Sequence, residues 1–208
     1  MDRDLLAQRI NDYTFFSYLF FKLPDAGFVS DLLALDIGDD EDDEGSVLLK
    51  RFISQNQDRE YEALASELGV DRTRLLRGLT HEGPRPPFES LFLDVPPQVT
   101  LGALNVIYAS VGFEQDAEKR ESKEYIGTEI NFMLLLCKQE LSALDSDDPE
   151  EALVWQQKQA EFFGRHLGLW GVAVAEELQR HARTDFYQAV ALMLRDFINS
   201  EIAYFSAI

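Results

Sequence analysis

The chain has 208 residues, of which 46% are hydrophobic and 12% aromatic, which is enough to bury one sizeable core or two small lobes sharing an interface. Its 38 acidic residues outnumber its 19 basic ones, so the formal net charge is -19. Such a surface repels phosphate backbones and anionic lipid headgroups, which makes nucleic acid and membranes poor partners and a basic polypeptide a good one.

Cysteine usage and the N-terminal residues predict the compartment. Cys137 is the single cysteine and cannot form an intrachain disulfide, which fits a reducing compartment. The first residues lack the basic and apolar regions of a secretory signal, and no apolar stretch approaches the roughly 20 residues of a membrane span. We expect a cytoplasmic, unprocessed chain without stable membrane insertion.

The first predicted element is a helix rich in aromatic residues. Apolar side chains recur at three- and four-residue steps from Leu5 to Leu23, and Pro24 ends the pattern. Asp25 can cap a second helix that runs through Leu35.

An acidic segment follows, from Asp36 to Gly45, and is predicted to be a loop. It is interpreted either as a solvated, mobile connection or as a segment whose negative charge attracts an arginine-bearing peptide.

Residues 46–79 predict two or three further helical segments, with Ser46 and Asp71 as caps and Gly78 near an end. Strand signals are absent. Residues 81–97 contain five of the seven prolines, so this segment is expected to cross the surface in an extended form.

Helical periodicity resumes at 99–113, breaks over the charged linker 114–123, and continues at 124–144. The remaining helices are predicted at 150–167, 170–182 and 184–205, with Thr184 as the last N-cap. The pattern predicts an all-α bundle of about nine helices in one structural domain. Its two lobes, residues 1–113 and 124–208, would be joined by the charged hinge 114–123.

Motifs that would carry catalysis are missing from the sequence. It has no glycine-rich phosphate loop, HExxH motif, cysteine pair or nucleophile elbow. None of the histidines, His81, His166 and His181, stands three residues after a glutamate, as a di-metal helical site requires. Glu177 and His181 are four apart, which indicates a local contact on a helix face. We therefore expect no catalytic residue, no metal and no cofactor, and binding rather than enzyme activity.

Three stretches together resemble the TorD/DmsD family of cytoplasmic redox-enzyme maturation chaperones. One is the opening helix up to Pro24, and another is the run from Pro86 to Phe92, which is similar to the family's Pro-Pro-aromatic-x-Ser signature. The third is a C-terminal His-Leu-x-x-Trp pattern from His166 to Trp170, followed by an Ala-x-x-x-Phe-Tyr pattern that ends at Tyr187.

The chain departs from the family at the hinge motif. Where the family has a Pro-Asp-His run, this sequence reads Lys123, Glu124 and Tyr125, and Glu129 occupies the place of a following glutamate. An acid is kept but the imidazole is lost, so a role of the histidine in nucleotide affinity or pH response does not carry over.

The resemblance implies a groove between the two lobes that binds a peptide. The implied peptide-binding residues are Pro87, Phe88, Glu89, Ser90, Glu124, Tyr125, Glu129, His166 and Trp170.

Each of these residues also has a purely structural interpretation. Phe88 either anchors the peptide or plugs the core, and Tyr125 either contacts the ligand or packs the hinge. Glu124 and Glu129 either pair with ligand arginines or cap a helix start. His166 and Trp170 are either ligand contacts or a packed pair with a satisfied imidazole.

The implied function is a chaperone that binds the twin-arginine signal peptide and apo form of a molybdopterin-type oxidoreductase subunit. It would thereby coordinate cofactor insertion with export. A NarJ-like chaperone for a reductase subunit that is not exported is the alternative within this class. A helical nucleotide-binding enzyme and a plain oligomerisation module are alternatives of other classes. Both a monomer and a dimer that exchanges its C-terminal helices across 114–123 are expected.

Overall fold

The computed structural model describes residues 2–38, 43–78, 83–114 and 121–208. Those ranges contain ten α-helices and no β-strand, apart from one isolated bridge between Phe88 and Tyr125. The helices are α1 (Arg3–Phe21), α2 (Ala26–Leu33), α3 (Glu44–Asn56), α4 (Tyr61–Arg77), α5 (Glu89–Leu93), α6 (Pro97–Ser110), α7 (Ile126–Asp145), α8 (Pro149–Arg165), α9 (Leu167–His181) and α10 (Asp185–Ser206). The all-α prediction is confirmed.

The extra helix is α5, which lies in the proline-rich stretch that was expected to be extended throughout. The backbone is extended just before it, where Phe88 has φ -115° and ψ 130°, and Asp94 at its C-terminal end has a left-handed φ of 53°. The extended prediction is therefore wrong for Glu89–Leu93, because no proline lies between Pro87 and Pro96 and these five residues are free to donate helical hydrogen bonds. His81 lies outside the described residues.

Of the N-caps predicted for α2 and α3, one is observed and the other is not. Asp25 caps α2 by accepting a hydrogen bond from the backbone N–H of Phe28 at 2.8 Å, as predicted. The predicted cap Ser46 is wrong, because Asp43 takes that position and accepts from the backbone N–H of Ser46 at 3.0 Å. The acidic loop thus ends before Glu44, and its residues 39–42 lie outside the described part.

Gly78 ends α4, as predicted, with a left-handed φ of 57°. A Cβ at this position would lie 2.5 Å from Cγ of Pro86. Backbone conformation and space therefore both require glycine here.

The described chain divides into two compact units, and the first comprises 1–22, 87–171 and 200–208. Its core is built where α7 packs against α1 and α8. Tyr108 of α6, Phe132 of α7 and Phe162 of α8 form an aromatic cluster, with ring centroids 4.6 Å apart for Tyr108 and Phe132 and for Phe132 and Phe162.

The second unit comprises 23–86 and 172–199. Phe28 of α2 and Phe52 of α3 pack on Phe186 of α10, with centroid distances of 5.8 and 5.7 Å. Thr184 caps α10 as predicted, since its Oγ1 accepts from the backbone N–H of Tyr187 at 3.3 Å.

Asp71 does not cap its own helix, so that prediction is wrong: it lies inside α4. Its side chain instead accepts hydrogen bonds at the start of α10. Asp71 Oδ2 accepts from the backbone N–H of Arg183 and Thr184 at 3.0 and 2.9 Å, and from Thr184 Oγ1 at 3.0 Å. Arg74 Nη2 donates to Asp71 Oδ1 at 2.7 Å, so both carboxylate oxygens are used.

The division into lobes 1–113 and 124–208 stays a prediction, since residues 115–120 of the hinge lie outside the described residues. None of the helices in the described ranges is both long and apolar enough to cross a membrane.

Candidate functional site

The site begins where two chain segments of the first unit run side by side. The backbone N–H of Glu89 donates to the carbonyl of Glu124 at 3.0 Å, and that of Ile126 donates to the carbonyl of Pro87 at 3.1 Å. Phe88 and Tyr125 therefore face each other as an antiparallel bridge, with their rings 5.9 Å apart. This pairing joins the proline signature to the altered hinge motif.

Glu124 caps the short helix α5 from the neighbouring segment. Its Oε2 accepts from the backbone N–H of Ser90 at 3.1 Å, while Phe88 at the formal N-cap position supplies no side-chain bond. A carboxylate is favourable there because the first turn of a helix presents unsatisfied N–H groups. Glu124 therefore caps α5, whereas the predicted cap at the start of the following helix, α7, is wrong.

Glu89 and His166 form a buried pair beneath α5. Nδ1 of His166 lies 2.9 and 3.0 Å from the two carboxylate oxygens of Glu89, and the side chains are only 8% and 5% exposed. The imidazole also stacks on Phe162 with a centroid distance of 5.0 Å. His166 is thus satisfied internally, as its structural interpretation requires.

Glu129 is completely buried in the first turn of α7. Its Oε2 accepts from Trp170 Nε1 at 3.1 Å, whereas Oε1 has no hydrogen-bond partner among the described residues. Burial, followed by the adjacent Glu89 carboxylate, raises the pKa of Glu129 well above its ordinary value. A protonated Glu129 can donate from Oε1 to Glu89, which would satisfy both groups.

Together these contacts bring all nine predicted site residues into one cluster of the first unit. Tyr125 is anchored by a hydrogen bond from its hydroxyl to the carbonyl of Phe20 at 2.9 Å, and Trp170 packs on Phe92 with centroids 5.6 Å apart. Phe88 is half-buried, while the other eight are buried. Their structural roles are therefore visible, and their role in peptide binding stays a prediction.

A second polar network, which the sequence did not reveal, lies in the same unit. Arg9 of α1 donates twice to Glu201 of α10, from Nε to Oε1 at 2.6 Å and from Nη2 to Oε2 at 2.8 Å. The Tyr13 hydroxyl donates to Glu201 Oε2 at 2.5 Å, and all three residues are buried. A separation of 192 positions between Arg9 and Glu201 leaves no local signal that could have paired them.

Gln159 extends this network to α7. Its Oε1 accepts from Arg9 Nη1 at 3.0 Å and from Cys137 Sγ at 3.3 Å, while its Nε2 donates to Glu140 Oε2 at 2.7 Å. Burial raises the pKa of the Cys137 thiol to about 12. Cys137 is therefore a packed thiol rather than a nucleophile.

Within the described ranges, no group of three or more His, Cys, Asp or Glu side chains could hold a metal ion. The arrangement instead concentrates three carboxyl groups, Glu89, Glu124 and Glu129, below an apolar edge. Among the described residues, no lysine or arginine forms an ion pair with any of them.

Comparison with known proteins identifies the class of this helical fold. A family model described as nitrate reductase delta subunit matches residues 39–176, which include the whole nine-residue cluster. The chain therefore belongs to the nitrate reductase delta subunit family. This family of NarJ/TorD-like chaperones serves redox-enzyme assembly, so the resemblance to the TorD/DmsD type is confirmed.

One relative is a perchlorate reductase assembly chaperone protein from Dechloromonas aromatica (strain RCB). It is 27% identical over 100 residues, covering 48% of this chain and 43% of that protein. The chain thus spans less than half the length of the curated relative that it matches.

Proposed function

We propose that this protein holds the N-terminal segment of a redox-enzyme subunit while the apo subunit, a molybdopterin-type oxidoreductase, receives its cofactor. It acts by binding in the cytoplasm and catalyses no reaction. The family match and the assembly chaperone among its relatives support this proposal.

The observation that carries the proposal is the buried carboxyl cluster below the edge of α5, in which Glu89, Glu124 and Glu129 have no lysine or arginine partner among the described residues. Glu89 and Glu124 place negative charge in a region of low dielectric, where a charge interacts more strongly than in water. Burial, followed by the nearby carboxyl groups of Glu129 and Glu89, raises the pKa of the Tyr108 hydroxyl well above its ordinary value. A ligand that carries arginine next to an apolar run complements this field.

The apolar part of the site is the edge of α5. Leu91 is 45% exposed, and Phe88 and Phe92 beside it are half-buried. These three side chains can cover an apolar stretch of the client, whereas the buried carboxyl groups act through their field without direct contact. Of the nine predicted residues, Phe88 alone is half-buried rather than buried, which supports its contact with the peptide.

Two clients fit this chemistry, and they differ in whether the subunit is exported. The family description, a nitrate reductase subunit, favours the NarJ-like client, whose N-terminal segment stays in the cytoplasm. The charge of the chain, -19, equally suits the arginine pair of a twin-arginine leader.

The test is co-purification of this chain with a tagged redox-enzyme subunit encoded beside it. We expect the apo subunit to retain the chain, and the same subunit without its N-terminal segment to lose it. Retention that is independent of the N-terminal segment contradicts the proposal. An Arg-Arg motif in that segment, together with loss of binding on its replacement by Lys-Lys, would select the exported client.

A further inference from the structure

One face of α8 carries charge that is separated along the helix. Glu151, Val154, Trp155, Lys158 and Arg165 lie at helical spacing on this face, which we call the α8 stripe. Glu151 lies near the N-terminal end of the helix, the apolar pair Val154 and Trp155 follows, and the two cations, Lys158 and Arg165, lie towards the C-terminal end. Val154 is 47% exposed, and Trp155 and Lys158 are half-buried.

Contacts within the stripe hold its side chains together. Trp155 Nε1 donates to Glu151 Oε1 at 3.3 Å, and Lys158 Nζ lies 5.8 Å from the centre of the Trp155 ring. The stripe is thus preorganised around the tryptophan, which lowers the entropic cost of docking it.

The two cations of the stripe have no carboxylate partner within the described part of the chain. Neither Lys158 nor Arg165 forms an ion pair there, although Glu161 lies between them in sequence. By contrast, the exposed arginines Arg3 and Arg180 form ion pairs with carboxylates, at 2.6 Å to Asp145 and 2.7 Å to Glu177. Lys158 and Arg165 are therefore available to pair with a carboxylate of another molecule.

The C-terminal end of α6 borders the same cations. Residues 95–113 contain no charged side chain, and within this segment Val99 is 58% and Val106 72% exposed. A small cavity between α6 and α8 is lined by Ile107, Val111, Phe162, Lys158, Glu161 and Arg165, among others.

We propose that the α8 stripe pairs antiparallel with the α8 stripe of a second copy of this chain. A two-fold axis between Val154 and Trp155 sets Glu151 of each copy opposite Lys158 of the other, because each stands the same number of residues from that axis. The apolar pairs meet at the centre, and the uncharged surface of α6 extends the contact. The interface is isologous, so every favourable pair occurs twice.

The self-complementary order of the stripe favours a second copy over other occupants. The cationic half of the stripe opposes a basic leader peptide, and the acidic protein repels anionic membranes. A single helix pair offers far fewer than the roughly 20 residues per side of a standard interface, so the dimer is weak and concentration-dependent.

Sedimentation velocity over a wide concentration range tests the proposal through a charge swap. Lys158→Glu and Glu151→Lys should each raise the dimer dissociation constant about tenfold, because each sets like charges opposite each other at two symmetric places. The double variant Glu151→Lys/Lys158→Glu should restore the dimer, since the pairs return with reversed sign and the net charge is that of the wild type.

Net charge makes the test selective. Glu151→Lys lowers the negative charge of the chain, and a general repulsion between copies would then favour the dimer rather than weaken it. Asp31→Lys, at an exposed position of α2, has the same charge change and should not weaken dimerisation. Far-UV circular dichroism and thermal unfolding show whether each variant folds.

Two outcomes overturn the proposal. One is a wild-type chain that stays monomeric at every concentration. The other is a dimer that both single reversals leave intact, which would point to another interface, such as exchange of the C-terminal helices.

Discussion

Trp170 Nε1 donates its hydrogen bond to Oε2 of the fully buried Glu129 at 3.1 Å, which ties the start of α9 to the first turn of α7. Trp170 belongs to a stretch that carried the family resemblance and Glu129 to the altered hinge motif, and the two are fixed to each other within this chain. Stability measurements on this pair therefore test the site without a ligand.

Trp170→Phe should destabilise the protein by about 1–3 kcal/mol in urea unfolding, because it removes the indole N–H that donates to Glu129 Oε2 and leaves a smaller ring at a buried position. Trp155→Phe is the matched control: its indole bond to Glu151 is exposed, and we expect a change of about 0.5 kcal/mol or less. Equal effects of the two substitutions would show that the buried bond contributes nothing specific.

Glu129 should make stability depend on pH. Burial and the Glu89 carboxylate raise the pKa of Glu129 in the folded state, whereas in the unfolded chain the group titrates near about 4.3. Between these two pKa values the folded protein holds a proton that the unfolded chain has released. The contribution of Glu129 to the free energy of unfolding is therefore fully present below the pKa of the unfolded chain. It decreases as the pH rises towards the pKa of the folded protein.

Glu129→Gln replaces the protonated acid with an amide that cannot ionise, so it should remove this decline. Thermal unfolding from about pH 5 to about pH 8 should show a shallower loss of Tm for Glu129→Gln than for the wild type. Glu176→Gln, at an exposed position of α9, should keep the wild-type slope. If wild type and Glu129→Gln have parallel profiles, Glu129 is ionised in the folded protein.

Removing one partner of the buried Arg9 and Glu201 pair should cost about 3–5 kcal/mol, because the other charge is then buried without compensation. Arg9→Met and Glu201→Met should each show this loss in urea unfolding, and the double variant should lose less than their sum. The exposed pair of Arg3 and Asp145 is the control: Arg3→Met should cost about 1 kcal/mol or less. Additive losses for Arg9 and Glu201 would contradict the coupling.

Asp71→Ala should destabilise the second unit, because the N–H groups of Arg183 and Thr184 lose their acceptor at the start of α10. We expect a loss of about 2 kcal/mol or more in chemical unfolding, which exceeds the roughly 1 kcal/mol of a single exposed cap. Asp148→Ala removes the exposed cap of α8 and is the control, because its loss of unfolding free energy measures what a single exposed cap contributes. A smaller loss for Asp71→Ala than for Asp148→Ala would contradict the assigned role.

The sequence predicted local features well and long-range pairing poorly. Helix α2 was located through Asp25 and the end of α4 through Gly78, because caps and left-handed turns are encoded by one or two neighbouring residues. Asp71 was misread as a local cap. Its carboxylate accepts from the backbone N–H of Thr184, which is 113 positions away, and nothing near Asp71 in the sequence indicates this partner. The family motifs selected residues that do cluster, yet periodicity could not show that eight of the nine are buried.

Titration calorimetry with the N-terminal segment of the client measures whether the chain binds that peptide at the edge of α5. Wild type should bind the peptide and not a scrambled version of it. Phe88→Ala should weaken binding by about 2 kcal/mol, roughly thirtyfold, while Phe15→Ala, another half-buried phenylalanine, should leave the affinity unchanged. Equal affinity for the peptide and its scramble, or equal losses of affinity in the two variants, would contradict specific binding at the edge of α5.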